Sequence, residues 1–287
     1  MIKLIATDLD GTLLSPDGTI STNNIKTIKK AQAKGIEVIV ATGRSYESAQ
    51  NAIQDAGLTT DIICLNGANV YDSNGQISVE KPLTKESVTE ILHVVDTDEV
   101  YFELYTNKGI FSTDRTKFMQ VLVKILATEY KQYTEEMIKE RAEQRFQEES
   151  FTFTTDFEGL LKDPAIVPYK ILTFSLKPEG LLKLRESFTG HPSIHVTSSG
   201  FDNVEFNHPD AKKGIALKAF AEQKAIKLSE IMAIGDNEND LSMLTMVGRG
   251  VAMANAKQLV KDACQYHTSS HEEDGVSQAI ETMLLEN

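Results

Sequence analysis

Two carboxylates one residue apart, Asp8 and Asp10, close a short apolar run, Ile2 to Ala6, and a glycine, Gly11, follows them. The run is long enough for one buried strand. Asp is disfavoured inside strands, and two like charges this close repel and shift each other's pKa. The arrangement makes physical sense when a cation sits between them. A hard dication such as Mg2+ takes oxygen ligands and offsets the repulsion. With it in place, one carboxylate can attack an electrophile while the other handles a proton. An Asp-Gly turn after a strand is common, but the whole of Asp8-Leu9-Asp10-Gly11-Thr12 at the end of a first strand is far more specific.

The rest of the chain alternates in a way that fits an open parallel sheet. Pro16-Asp17-Gly18 is turn chemistry, so a small hairpin flap is expected beside the acidic pair. Ile25, Ile28 and Ala31 follow helical spacing up to Gly35, and Ile36 to Ala41 reads as a second buried strand. Strand, helix, strand predicts a right-handed parallel crossover. The second strand ends at Thr42-Gly43-Arg44, before a helical stretch from Ser45 to Ala56. A hydroxyl and a glycine amide at a helix N-terminus form an anion cradle. Ile62 to Leu65 reads as a third strand, followed by Asn66-Gly67-Ala68 and a hairpin.

The alternation breaks near Pro82 and resumes near Lys212. Between them, strands at Val100 to Tyr105, Ile110 to Thr113, Val167 to Leu176, Ile194 to Thr197 and Val204 to Phe206 mix with helices at Thr84 to Val95 and Glu179 to Phe188. Arg115 to Gln147 is charged and mostly helical in pattern. After the break, Lys212-Lys213-Gly214 opens a helix, and Ile231 to Ile234 is a strand ending in Gly235-Asp236-Asn237-Glu238-Asn239-Asp240. Three acids and two amides after an apolar strand are a poor core but a good hard-metal site. Gly248 and Gly250 suggest a dinucleotide loop, but Met253 stands where the third glycine is needed. His271-Glu272-Glu273-Asp274 reads as a solvated loop, and Pro192 keeps His191 and His195 off one helix face.

The 287 residues carry a net charge of −13, spread along the chain, which argues against nucleic acid and anionic membrane as partners. Two cysteines make no disulfide framework, and no signal peptide or membrane span is visible, so a cytoplasmic location is expected.

The four polar stretches, in their order, resemble the motifs of the haloacid dehalogenase superfamily of phosphohydrolases, and the inserted segment resembles its Cof-type, sugar-phosphatase-like branch. The resemblance implies an α/β fold, with a Rossmann-like parallel-sheet core (1–82 and 208–287) and an inserted α+β cap (83–207) that sets specificity. Each motif is expected at the C-terminal end of a parallel strand, where ligand sites of open sheets lie. By resemblance Asp8 is the nucleophile, forming an aspartyl-phosphate, and Asp10 the acid/base. Leu9, Thr42, Gly43, Lys213 (or its neighbour Lys212) and Asn239 contact phosphate. Asp8, the Asp10 backbone carbonyl and Asp236 hold Mg2+, and Asp240 holds the lysine. The implied activity is a Mg2+-dependent phosphatase for a small phosphorylated metabolite, a sugar phosphate. A phosphomutase of the same superfamily and a non-catalytic sugar-phosphate sensor are the alternatives.

Overall fold

The computed structural model describes residues 1–95, 99–117, 119–121, 123, 134–175, 177–198 and 203–286. They form two compact units, Met1–Lys81 with Asp210–Asn287, and Pro82–Pro209.

The first unit opens with β1 (Leu4–Thr7), α1 (Thr22–Ala33), β2 (Glu37–Ala41), α2 (Tyr46–Asp55), β3 (Asp61–Cys64), β4 (Asn69–Tyr71) and β5 (Ile77–Glu80). The second holds α3 (Lys85–Val94), β6 (Val100–Thr106), β7 (Gly109–Ser112), α4 (Glu135–Glu148), β8 (Phe151–Phe153), α5 (Phe157–Lys162), β9 (Pro168–Ser175), α6 (Pro178–Phe188), β10 (His195–Thr197) and β11 (Asn203–Asn207). The first unit then resumes with α7 (Lys213–Gln223), β12 (Ile231–Gly235), α8 (Leu241–Leu244), β13 (Arg249–Ala252), α9 (Gln258–Ala263), β14 (Tyr266–His267) and α10 (Gly275–Glu286).

Eight strands of the first unit make one sheet in the order β14-β13-β12-β1-β2-β3-β4-β5. It is parallel from β14 to β3, and β4 and β5 add an antiparallel edge. Leu4, Ile5 and Ala6 of β1, Ile39 of β2 and Ile231 to Ile234 of β12 are all fully buried. Burial on both faces is why these strands read as unbroken apolar runs rather than as alternating ones. Thr7 pairs with Val40 on one side and Ile234 on the other, so the residues that follow β1, β2 and β12 emerge at one edge. The flap beside β1 is a small hairpin bridged from Leu14 to Ile20.

The second unit has a six-stranded sheet, β10-β11-β9-β6-β7-β8, antiparallel except where β7 meets β8. Alternation along its strands separates two faces. Val100, Phe102 and Leu104 pack with Ile171, Val204 and Phe206 against Val88 and Ile91 of α3 and Leu181, Leu184 and Phe188 of α6. The residues between them, Tyr101, Glu103 and Tyr105, face the other way. Buried Glu103 accepts two bonds from Arg145 of α4, at 2.9 and 2.7 Å, and one from the Tyr105 hydroxyl at 2.8 Å. A buried carboxylate is tolerated when its partners neutralise and saturate it in this way.

Most expected elements are present with ends shifted by one or two residues, within the fraying of any element boundary. Three differences are larger. The expected helical stretch Arg115 to Gln147 lies partly outside the described residues, and its described part ends in α4. Strand β8 and helix α5 were not expected from the sequence. Lys213 does not follow a parallel strand: β11, which precedes it, belongs to the antiparallel sheet, and the lysine opens α7. Among the described residues no helix is long and apolar enough to cross a membrane.

Candidate active site

Asp8 continues β1 by one residue, its amide donating to Ile234 O at 2.9 Å. The residue is 5% exposed. The chain then turns over Leu9–Leu13, and Gly11 takes φ +73, a left-handed conformation that suits glycine. A Cβ on Gly11 would lie 2.6 Å from Asp236 Oδ2, so a side chain there would push the two acidic stretches apart. Thr12 Oγ1 donates to Asp236 Oδ1 at 3.0 Å, and Asn255 Nδ2 to Gly11 O at 2.7 Å. Leu9 buries its side chain in the core, and its carbonyl accepts from Leu14 N.

Lys213 is the first residue of α7 and fully buried. Its Nζ donates to Asp8 Oδ1 at 2.6 Å and to Asp240 Oδ1 at 2.7 Å. The other oxygen of Asp240 accepts from the amides of Asp236 and Asn237, at 3.0 Å each. Lys212, one residue earlier, sets its backbone carbonyl against Gly67.

Oxygens of Asp8, Asp236 and Asp240 lie within 4.8 Å of one another. Three carboxylates around one ammonium leave the site short of positive charge. Burial raises the pKa of Asp8 well above the carboxylate range, the Asp240 and Asp236 charges add to it, and Lys213 opposes. Asp236 is raised by burial first and by Asp240 second. Burial works against the Lys213 ammonium, yet Asp240 and Asp8 outweigh it and raise its pKa. A divalent cation fits this deficit, and an all-oxygen donor set selects a hard one. Asp240 has both oxygens committed, which leaves Asp8 and Asp236 as the carboxylates to hold it. The buried Oδ1 of Asn239 has no hydrogen-bond partner among the described residues.

Thr42 and Gly43 bridge β2 to α2, whose N-cap Ser45 accepts from Ser48 N. Thr42 is fully buried, donates its amide to Ile63 O at 2.8 Å and accepts the Asn66 amide at 3.0 Å. Opposite it, Leu65, Asn66 and Gly67 take successive positive φ of 49°, 60° and 102°. This run turns the Asn66 amide inward, where its Oδ1 accepts from Asn239 Nδ2 at 3.0 Å. A Cβ on Gly43 would lie 3.1 Å from the same oxygen. Asn66 therefore ties the stretch after β2 to the stretch after β12.

The carboxylate of Asp10 is not part of the acidic cluster. Arg44 takes both its oxygens, Nε to Oδ2 at 2.9 Å and Nη2 to Oδ1 at 2.6 Å. The structure thus brings Asp8, Lys213, Asp236 and Asp240 into one bonded group, sets Thr42, Gly43 and Asn239 together through Asn66, and turns the Asp10 side chain to Arg44. Sequence reasoning missed the parts played by Asn66, Thr12 and Asn255. Asn66 and Thr12 lay inside recognised stretches, whereas nothing marked Asn255.

A family model described as haloacid dehalogenase-like hydrolase matches residues 5–280. The phosphatase YwpJ of Bacillus subtilis (strain 168) is 32% identical over 285 residues, covering 99% of this chain and all of that protein. The 5-amino-6-(5-phospho-D-ribitylamino)uracil phosphatase YwtE of the same organism is 30% identical, over 99% of this chain and 98% of that one. Among solved structures, a haloacid dehalogenase-like hydrolase from B. subtilis superposes with a TM-score of 0.87 at 32% identity, over 98% of this chain and 99% of the other.

Proposed function

Since the chain belongs to the haloacid dehalogenase-like hydrolases and is a phosphatase of the Cof type, we propose that it hydrolyses a small phosphorylated metabolite, a sugar phosphate, with Mg2+ held by Asp8, Asp236 and the Asp10 backbone carbonyl. The observation that carries the reading is Asp8, a buried carboxylate at a strand end with Lys213 on one oxygen and two more carboxylates within 4.8 Å. Those neighbours support a bound cation, whose charge neutralises the phosphoryl oxygens.

Asp8 forms the new bond to phosphorus as the ester P–O bond breaks, and the leaving oxygen takes a proton from Asp10. Asp10 then takes a proton from the water that opens the aspartyl-phosphate, and inorganic phosphate leaves. Lys213, Thr42, Gly43, Asn239 and Leu9 bind the phosphoryl oxygens through these steps. Asp240 keeps Lys213 in place and charged, through the bond at 2.7 Å. The unit Pro82–Pro209 supplies the preference among leaving groups, since the phosphate and metal groups are common to every substrate.

Phosphate release over a panel of sugar, cofactor and nucleotide monophosphates tests this. Release from sugar phosphates, stopped by a chelator, is expected. A requirement for a bisphosphate activator with no net phosphate released would assign the site to a mutase. Tight sugar-phosphate binding with no turnover by the metal-loaded protein would assign it to a sensor.

A further inference from the structure

The pair between Arg44 and Asp10 is the part of the site that these steps leave without a task. The main chain of Arg44 belongs to the phosphate cradle, its amide donating to Thr42 Oγ1 at 3.1 Å and its carbonyl accepting from Leu65 N at 2.9 Å. Its side chain leaves the cradle and closes on the acid/base carboxylate with the two bonds given above. A carboxylate that accepts from both prongs of one guanidinium has one lone pair on each oxygen taken and its plane fixed by the fork, so proton exchange with a leaving alcohol competes with the pair. The side chains are 30% and 55% exposed for Arg44 and Asp10, and ion pairs in contact with water exchange partners easily. A phosphoryl dianion offers the guanidinium the same fork of two oxygens with more charge.

We infer that Arg44 is a latch on Asp10 that substrate releases. Without substrate, Arg44 holds the carboxylate with both oxygens occupied. An arriving phosphoryl group takes over the guanidinium, and Asp10 is freed to exchange a proton with the leaving oxygen. No covalent bond changes in this step; one ion pair replaces another. The ligand is the phosphoryl dianion itself, whatever it is esterified to. The inference rests on the reading of Asp8 and Asp10 as nucleophile and acid/base.

Calorimetric titration of inorganic phosphate into the full-length, Mg2+-loaded protein tests it in a double-mutant cycle. If phosphate and Asp10 compete for Arg44, Asp10→Asn tightens phosphate binding by about tenfold in the presence of Arg44 and far less beside Arg44→Gln. Arg44→Gln alone weakens phosphate by roughly 10- to 100-fold. Arg44→Lys, which keeps the charge but loses the fork, falls between, and serves should Arg44→Gln fail to fold. Equal effects of Asp10→Asn in the two backgrounds, or unchanged phosphate affinity in a folded Arg44→Gln, overturn the latch. Kinetics supply a second arm. Loss of a phosphoryl contact lowers kcat/KM by one factor for aryl and alkyl phosphates alike, whereas a loss that grows with leaving-group pKa assigns Arg44 to holding Asp10 in its working position and overturns the latch. Coupled phosphate binding with no turnover of any ester refutes the catalytic reading instead.

Discussion

Replacing Asp236 by Asn should raise the melting temperature of the metal-free protein and abolish its response to Mg2+. The Asp236 oxygens lie within 4.8 Å of those of Asp8 and Asp240, and at an effective dielectric of about 20 each such pair repels by about 3.5 kcal/mol. Attraction to Lys213, the proton that burial favours on Asp8, and solvent at partly exposed Asp236 together cut this back, leaving about 1–3 kcal/mol to be relieved. The amide oxygen still accepts from Thr12 Oγ1, so no buried hydroxyl is orphaned. For a unit of this size that relief is worth about 2–4 °C per kcal/mol. Wild-type protein should instead gain about 2.7 kcal/mol from Mg2+ at a hundred times its Kd. Scanning calorimetry of both proteins, in chelator and in excess Mg2+, reads the two effects on the transition of the Met1–Lys81, Asp210–Asn287 unit. An Asp236→Asn protein that melts below wild type in chelator, or that gains as much from Mg2+, would refute the reasoning.

Asp8→Asn should release no phosphate from any substrate, and Asp10→Asn should lower turnover by roughly 100- to 10,000-fold. Substantial release by Asp8→Asn, with deamidation excluded by mass spectrometry, removes Asp8 as nucleophile. Gly67→Ala places a Cβ 2.5 Å from Lys212 O at φ +102, and should destabilise the fold by roughly 2–4 kcal/mol and weaken phosphate binding through Lys213. An unchanged urea midpoint would show that the loop gives way freely. Asp274 accepts from Ser21 Oγ at 2.5 Å and Asn23 Nδ2 at 2.6 Å, and these bonds lower its pKa. A lowered carboxylate pKa gives stability that is present above the unfolded value of about 3.9 and is lost as pH falls through the folded one. The gap in urea midpoint between wild type and Asp274→Asn should therefore narrow from pH 7 to pH 3; a constant gap assigns these bonds no pH dependence.

The parts of the site legible in the sequence are those where chemistry sits beside a strong local pattern. Ile231 to Ile234 is apolar because both faces of its strand are covered, so the acids after it stand out. Asn66 has no such contrast. Asn-Gly after a strand reads as a hairpin turn, while the positive φ begins one residue earlier, at Leu65, where no side-chain preference calls for it. Its partner Asn239 is 173 positions away. Lys212 and Lys213 are equivalent in sequence, and only the phase of α7 decides which reaches Asp8. Strand β8 is three residues long and pairs in parallel with a strand some forty positions earlier, so neither length nor a turn announces it. Arg44 and Asp10 stand 34 positions apart and meet because β1 and β2 run side by side.

The central place of β1 has a consequence during synthesis. One of its two neighbours, β2, follows within forty residues, but the other, β12, begins at Ile231. At about 5–20 residues per second the ribosome needs roughly 10–45 s to deliver it. For that interval a buried-type strand presents a naked edge beside the nascent chain, the kind of edge that recruits other strands. The residues made meanwhile, Pro82–Pro209, form a compact unit of their own. Of the acidic pair at the end of β1, Asp10 meets Arg44 as soon as β2 is in place, but Asp8 waits, because Lys213, the ammonium on its Oδ1, leaves the ribosome only after that unit.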